Sequence, residues 1–187
     1  MKHQEKDLYE RAKDYATEKH AHQTRKDGIG RPFVSHPLRA VELLREVAGI
    51  QDPATLAAAV LHDTLEDTNA KQEDLEELFG AEVAGIVVQL TDDKRLPRAI
   101  RKAAEIADAA RLSRKAALVR AADKIANAED ALYHTPEGWS LERRLEYLRW
   151  CEQVIYACVD VPLPLIGHFR KLLLETERAL TLTSVPA

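Results

Sequence analysis

The stretch Asp52-Pro53-Ala54-Thr55-Leu56-Ala57-Ala58-Ala59-Val60-Leu61-His62-Asp63-Thr64-Leu65-Glu66-Asp67-Thr68 decides how the chain is read. An aspartate followed by a proline marks a helix start, because the carboxylate accepts from a free backbone N–H and the proline ring is preset for the first helical position. The residues from Pro53 to Leu65 are so apolar that they predict a central helix running to Leu65. Its far end is charged. At ~100° per residue, with His62 at zero, Glu66 falls near ~40°, Asp63 near ~100° and Asp67 near ~140°, so all four share one side. A histidine and three carboxylates ending an apolar helix carry a large desolvation cost unless they meet a cation or water. An isolated His-Asp pair is more often a core histidine beside a solvated acid, since two ligands do not make a metal site. The longer constellation shifts that balance towards a bound metal.

Outward from this stretch the pattern stays helical. Leu8, Ala12, Tyr15 and Ala16 share a stripe and predict a first helix from about Glu5 to Ala21. Gly28, Gly30 and Pro32 make a loop of residues 23–35, after which Pro37 opens a helix that turns Leu38, Val41 and Leu44 inward and leaves His36 at its mouth. Further helices are expected over Gln72 to Phe79, Ala81 to Leu90, Pro97 to Ala109, Ser113 to Leu132 and Leu141 to Cys158. Pro162 and Pro164 precede a last helix over about 164–180, with a frayed tail beyond Leu180. The expected fold is all-α, about eight to ten helices in a single domain of residues 1–187 with its core at about 5–160.

Composition narrows the function classes. Hydrophobic residues are 45% and charged residues 31% of 187, with Gly 7 and Pro 8, which describes a helical globular protein. The formal net charge of −4 argues against a protein that grips nucleic acid with its whole surface, yet leaves room for a local basic pocket. The charged stretch Met1 to Asp7 has no apolar run behind it and no segment approaches a membrane span, so a cytoplasmic protein without a membrane partner is expected. Cys151 and Cys158 are too few for a disulfide framework and badly spaced for a zinc knuckle, and they read as buried core thiols.

A second cluster of polar groups follows from spacing. Asp123, Asn127 and Asp130 lie four and three residues apart on one helical stripe, among Leu118, Val119, Ala121, Ala122 and Ile125. An aspartate in that apolar setting is a better ligand candidate than the acids of Glu73 to Glu77, although an ion pair with Arg120 or Lys124 would also satisfy it. His36, the His62-Asp63 pair and Asp123 together make a four-ligand nitrogen and oxygen set suited to Mn²⁺, Fe²⁺ or Zn²⁺. Lys94, Arg95, Arg98, Arg101 and Lys102 form a cationic stretch that either adds field at a pocket mouth or is a solvated helix face. His3, His20, His22, His134 and His168 have no comparable constellation and read as surface or supporting residues, and Tyr133 and Trp139 read as packing residues.

From about Leu8 to Tyr156 the sequence resembles the hydrolase domain of the RelA/SpoT enzymes, and especially their stand-alone small alarmone hydrolases. The motifs that carry the resemblance are Arg25-Lys26-Asp27, Gly30-Arg31-Pro32-Phe33-Val34-Ser35-His36-Pro37, His62 to Thr68, Phe79-Gly80, Thr91-Asp92-Asp93-Lys94, Ala122-Asp123-Lys124 with Asn127, and Thr135 to Trp139. The resemblance implies an HD-type fold, metal ligands His36, His62, Asp63 and Asp123, typically around Mn²⁺, and a catalytic pair Glu66 and Asp67. It further implies that Arg25 and Lys26 hold a diphosphate, with Asn127 and Tyr147 at the nucleoside, and Lys94 of the cationic stretch is read as a further substrate-binding residue. Phe33 stands where the family commonly has tyrosine.

The implied activity is removal of pyrophosphate from the 3′ position of (p)ppGpp and of related adenosine nucleotides. An NADPH 2′-phosphatase or another nucleotide phosphohydrolase is the alternative, followed by a non-catalytic alarmone sensor. Sensing ranks low because both Glu66 and Asp67 are present. At 187 residues there is no room for the synthetase of the long family members, and no GxxxxGK phosphate loop occurs. Base preference is not legible in the sequence, and a homo-oligomer is left open.

Overall fold

The computed structural model describes residues 7–183, and among these it is all-helical. Ten α-helical segments follow one another: α1 (Leu8–Lys19), α2 (Ser35–Glu42), α3 (Pro53–Leu61), α4 (Thr64–Asp67), α5 (Gln72–Phe79), α6 (Ala81–Leu90), α7 (Arg98–Ala109), α8 (Arg114–Tyr133), α9 (Leu141–Ala157) and α10 (Leu163–Thr183). A π-helical turn, Leu43–Val47, extends α2. His3 and the residues after Thr183 lie outside the described range.

The helix predicted to be central is central. Every residue of α3 from Ala54 to Leu61 is buried, and the helix packs on α1, α2, α6 and α8. Asp52 caps it as expected, accepting from the Thr55 N–H at 2.8 Å and from its hydroxyl at 2.7 Å. Ala57, Ala58, Ala59, Val60 and Leu61 are all fully buried in this layer. Replacing Leu61, which is fully buried, by alanine is expected to cost about 3 kcal/mol, since little in so crowded a layer can collapse into the hole. Urea unfolding measures this, and a loss under about 1 kcal/mol would contradict the central place of α3.

The expectation that this helix continues to Leu65 is wrong. It stops at Leu61, and α4 begins at Thr64 after a two-residue turn. Side chains end it. The His62 ring donates from Nδ1 to the Ala59 carbonyl at 2.7 Å, and the Thr64 hydroxyl donates to the Leu61 carbonyl at 2.7 Å. These local bonds take acceptors that a continuing helix would use. The helical-wheel angles for His62 to Asp67 therefore do not describe the real geometry, although the four side chains still face one cleft.

The second long spine is α8, packed on α2, α3, α6, α9 and α10. Helix α2 begins at Ser35, so His36 and Pro37 sit in its first turn and not before it. Cys151 and Cys158 are buried thiols, as expected. The loop between α1 and α2 closes on itself through a Thr24–Pro32 bridge and a bond from the Arg25 N–H to the Arg31 carbonyl at 2.8 Å. Gly28 and Gly30 make that reversal at φ of 73° and 75°, where a side chain would be strained. No helix of the described residues is long and apolar enough to cross a membrane.

Candidate active site

Helix α2 brings His36, the turn after α3 brings His62 and Asp63, and the middle of α8 brings Asp123 to one buried point. Ligand atoms of His36, His62 and Asp123 lie within 4.8 Å of one another. His36 Nε2 is 3.0 Å from Asp123 Oδ1, and His62 Nε2 is 3.6 Å from the same oxygen. Asp63 stands beside them, with Oδ1 3.3 Å from His62 Nε2 and Oδ2 3.8 Å from His36 Nε2.

The donor set fits a divalent ion. The proton on His62 Nδ1 is committed to Ala59, so Nε2 is left facing two carboxylates, buried and without a hydrogen-bond partner. A buried nitrogen without a hydrogen-bond partner beside two carboxylates is a geometry that fits a metal ligand. Burial alone would lower the His62 pKa, but the Asp63 and Asp123 carboxylates outweigh it and push the ring up to about 9. Burial keeps the His36 pKa below the usual histidine value. Asp123 is held well below the carboxylate range, because Lys124 and the two histidines overcome its desolvation. Imidazole and carboxylate donors without a thiolate suit Mn²⁺, Fe²⁺ or Zn²⁺.

Asp123 also pairs with Lys124, whose Nζ lies 3.0 Å from Oδ2. The ion pair offered as an alternative to ligation is thus present alongside the histidines. Lys124 and Arg120 in turn share the buried Glu105 of α7, each at 2.5 Å.

Glu66 and Asp67 lie on α4 at the edge of the same cleft, whose volume is about 370 Å³. Burial and the nearby negative charges of Asp92 and Asp63 raise the Glu66 carboxyl to about 7. Its Oε2 accepts from the Asp92 N–H at 3.3 Å, and Arg101 stands 3.7 Å from Oε1. Asp67 pairs with Lys94 and is held by its carbonyl, which accepts from Gln23 Nε2 at 2.6 Å. Lys94 itself does not line the cleft, being occupied with Asp67 and 3.8 Å from Glu66.

Arg25, Lys26, Asn127 and Tyr147 all line the cleft. Phe33 stacks on His20 with ring centroids 4.6 Å apart and lies 5.5 Å beneath the Arg25 guanidinium, contacts that need no hydroxyl. His20 is buried and bonded to Gln23, so it is not a surface residue. Arg98, Arg101 and Lys102 of the cationic stretch do reach the cleft, as does Trp139. Sequence reasoning missed Glu105. Its buried partners Arg120 and Lys124 lie on α8, a different helix, so no local spacing announces it.

A profile of the HD domain family matches residues 12–146. The chain is an HD-domain protein. Among relatives of this HD-domain chain is the Xenopus tropicalis guanosine-3′,5′-bis(diphosphate) 3′-pyrophosphohydrolase MESH1, 46% identical over 144 residues, 77% of this chain and 80% of that protein. The Homo sapiens MESH1 protein is 44% identical over 144 residues, again 77% of this chain and 80% of the other. A solved structure of a metazoan ortholog of SpoT, described as hydrolyzing ppGpp with a role in starvation responses, superimposes with a TM-score of 0.86 at 37% identity. The match covers 91% of this HD-domain chain and 96% of that one.

Proposed function

We propose that the protein is a metal-dependent hydrolase that removes pyrophosphate from the 3′ position of an alarmone nucleotide, with (p)ppGpp as the leading substrate and (p)ppApp as a related one. One observation carries the reading: a single cleft joins the His36, His62, Asp63 and Asp123 cluster to Glu66 and Asp67, and its wall presents Arg25 and Lys26. The MESH1 relatives, named for this activity, support it. Mn²⁺ is the ion proposed for the four donors. When bound, such an ion acidifies water and offsets phosphate charge.

The chain's own residues supply the rest. Arg25 and Lys26 receive the 3′-diphosphate through charge-assisted hydrogen bonds, and Asn127 and Tyr147 border the nucleoside. Glu66, whose carboxylate borders the metal cluster in the cleft, takes the proton of the attacking water. Asp67, fixed by Gln23 and Lys94, orients that water. The oxygen of water bonds to the first phosphorus, the bond to the 3′ oxygen breaks, and that oxygen takes up a proton as pyrophosphate leaves. The continuous core from Tyr9 to Leu172 supports treating the chain as one domain. The cytoplasm, where such nucleotides are met, is the proposed place of action.

The test is a Mn²⁺-supplemented assay of ppGpp, ppApp and NADPH that separates pyrophosphate from orthophosphate. Pyrophosphate from an alarmone is expected; orthophosphate from NADPH with no alarmone turnover would overturn the assignment. Replacing Arg25 by alanine is expected to lower kcat/KM about tenfold or more with metal content unchanged. Wild-type kinetics would remove Arg25 from the site.

A further inference from the structure

Asp130 lies on α8 two turns beyond Asp123, in the wall of the cleft. Each of its oxygens receives a different guanidinium. Arg25 Nη2 donates to Oδ2 at 2.5 Å and Arg31 Nη2 donates to Oδ1 at 2.8 Å. Arg31 also donates from Nε to Asp27. The result is an alternating chain, Asp27–Arg31–Asp130–Arg25, in which two anions balance two cations. Arg25 is steadied again by the Asn127 side-chain oxygen at 3.3 Å and by the Phe33 ring.

Among the described residues, both hydrogen bonds that hold the Arg25 side chain use one nitrogen, Nη2. A guanidinium has five N–H donors in a planar fork, so fixing one nitrogen sets the plane and direction of the others. Arg25 and Arg31 face each other across the closed loop, and Asp130 ties both to a helix that also carries Asp123. The carboxylate thereby couples the position of a phosphate-binding cation to the candidate metal cluster.

We propose that Asp130 is a positioning residue for substrate binding: by clamping Arg25 and Arg31 to α8 it holds the Arg25 guanidinium in the orientation that receives the substrate's diphosphate. This rests on the reading of Arg25 as a diphosphate ligand. Asp130 touches no reacting atom, and its loss leaves the chemical step to Glu66.

The experiment is steady-state hydrolysis of ppGpp with Mn²⁺ by the full chain and its Asp130→Asn, Arg25→Ala and doubly substituted forms, with metal content and Tm measured for each. The expected result is a KM about tenfold higher in Asp130→Asn, the scale of one charge-assisted bond, with kcat within about threefold of wild type and metal content unchanged. Asp130→Glu, which keeps the charge but shifts the oxygens, is expected to fall between. In the Arg25→Ala background, Asp130→Asn should raise KM no further, because the two residues act through one interaction. A KM effect that adds in full to that of Arg25→Ala would overturn the proposal, as would a Tm loss in Asp130→Asn without a KM change. Should Asp130→Asn not fold, a wild-type KM in Asp130→Glu overturns it equally. A wild-type KM in Arg25→Ala fails the underlying reading first, and is recognised by that single variant.

Discussion

Replacing Glu66 by glutamine is expected to lower kcat about a hundredfold or more while fold, metal content and KM stay near wild type, the scale of a lost general base. Glutamine keeps the size of the side chain and its acceptor oxygen for the Asp92 N–H but cannot take a proton. A base acts only when ionised, so wild-type activity should rise with pH through the titration of Glu66, and that limb should disappear in the variant. The carboxyl stands at about 7 in the metal-free protein and lower once a cation sits beside Asp63. If Glu66 were only a solvated charge at a helix end, the change would be near neutral. Single-turnover kinetics on the metal-loaded variant decides, and wild-type turnover would move the role to Asp67.

Alanine at His62 or Asp63 is expected to reduce a content of about one divalent ion per chain to a small fraction and hydrolysis to background, because each substitution removes a donor from the proposed set of four. His62 is the more telling of the two. Its Nε2 has no partner but the neighbouring carboxylates, so the ring has no structural task there beyond the bond from Nδ1 to Ala59. Chelation of wild-type protein should likewise lower Tm, since an ion that binds only the folded state stabilises it by mass action. Elemental analysis of both variants is the measurement. Full occupancy in either would remove that residue from the ligand set.

Much of this site was legible in the sequence because helix periodicity is local. A backbone bonded from each N–H to the carbonyl four residues back places Asp123, Asn127 and Asp130 on one stripe wherever the helix lies, and all three line the cleft. The burial of α3 was legible for a similar reason: a segment apolar on every side has no face to offer water. Residue chemistry was legible as well, since histidines and carboxylates at the end of an apolar run call for a cation.

What tertiary structure alone decided are the relations between groups that no local rule connects. His36 and Asp123 meet at 3.0 Å across 87 residues of sequence because α2 and α8 pack against each other. Asp123 shares its charge with Lys124 because α9 and Glu105 of α7 leave that ammonium nowhere wetter to go. Lys94 belongs to a cationic stretch by sequence, and its pairing with Asp67 follows from where the chain after α6 passes α4. Even the break after Leu61, only a turn away, depends on the His62 ring choosing the Ala59 carbonyl, a choice made by what surrounds the ring. Periodicity is a property of the backbone ladder and can be read one turn at a time. The partner of a buried charge is set by which elements close over it, and that is known only when they have packed.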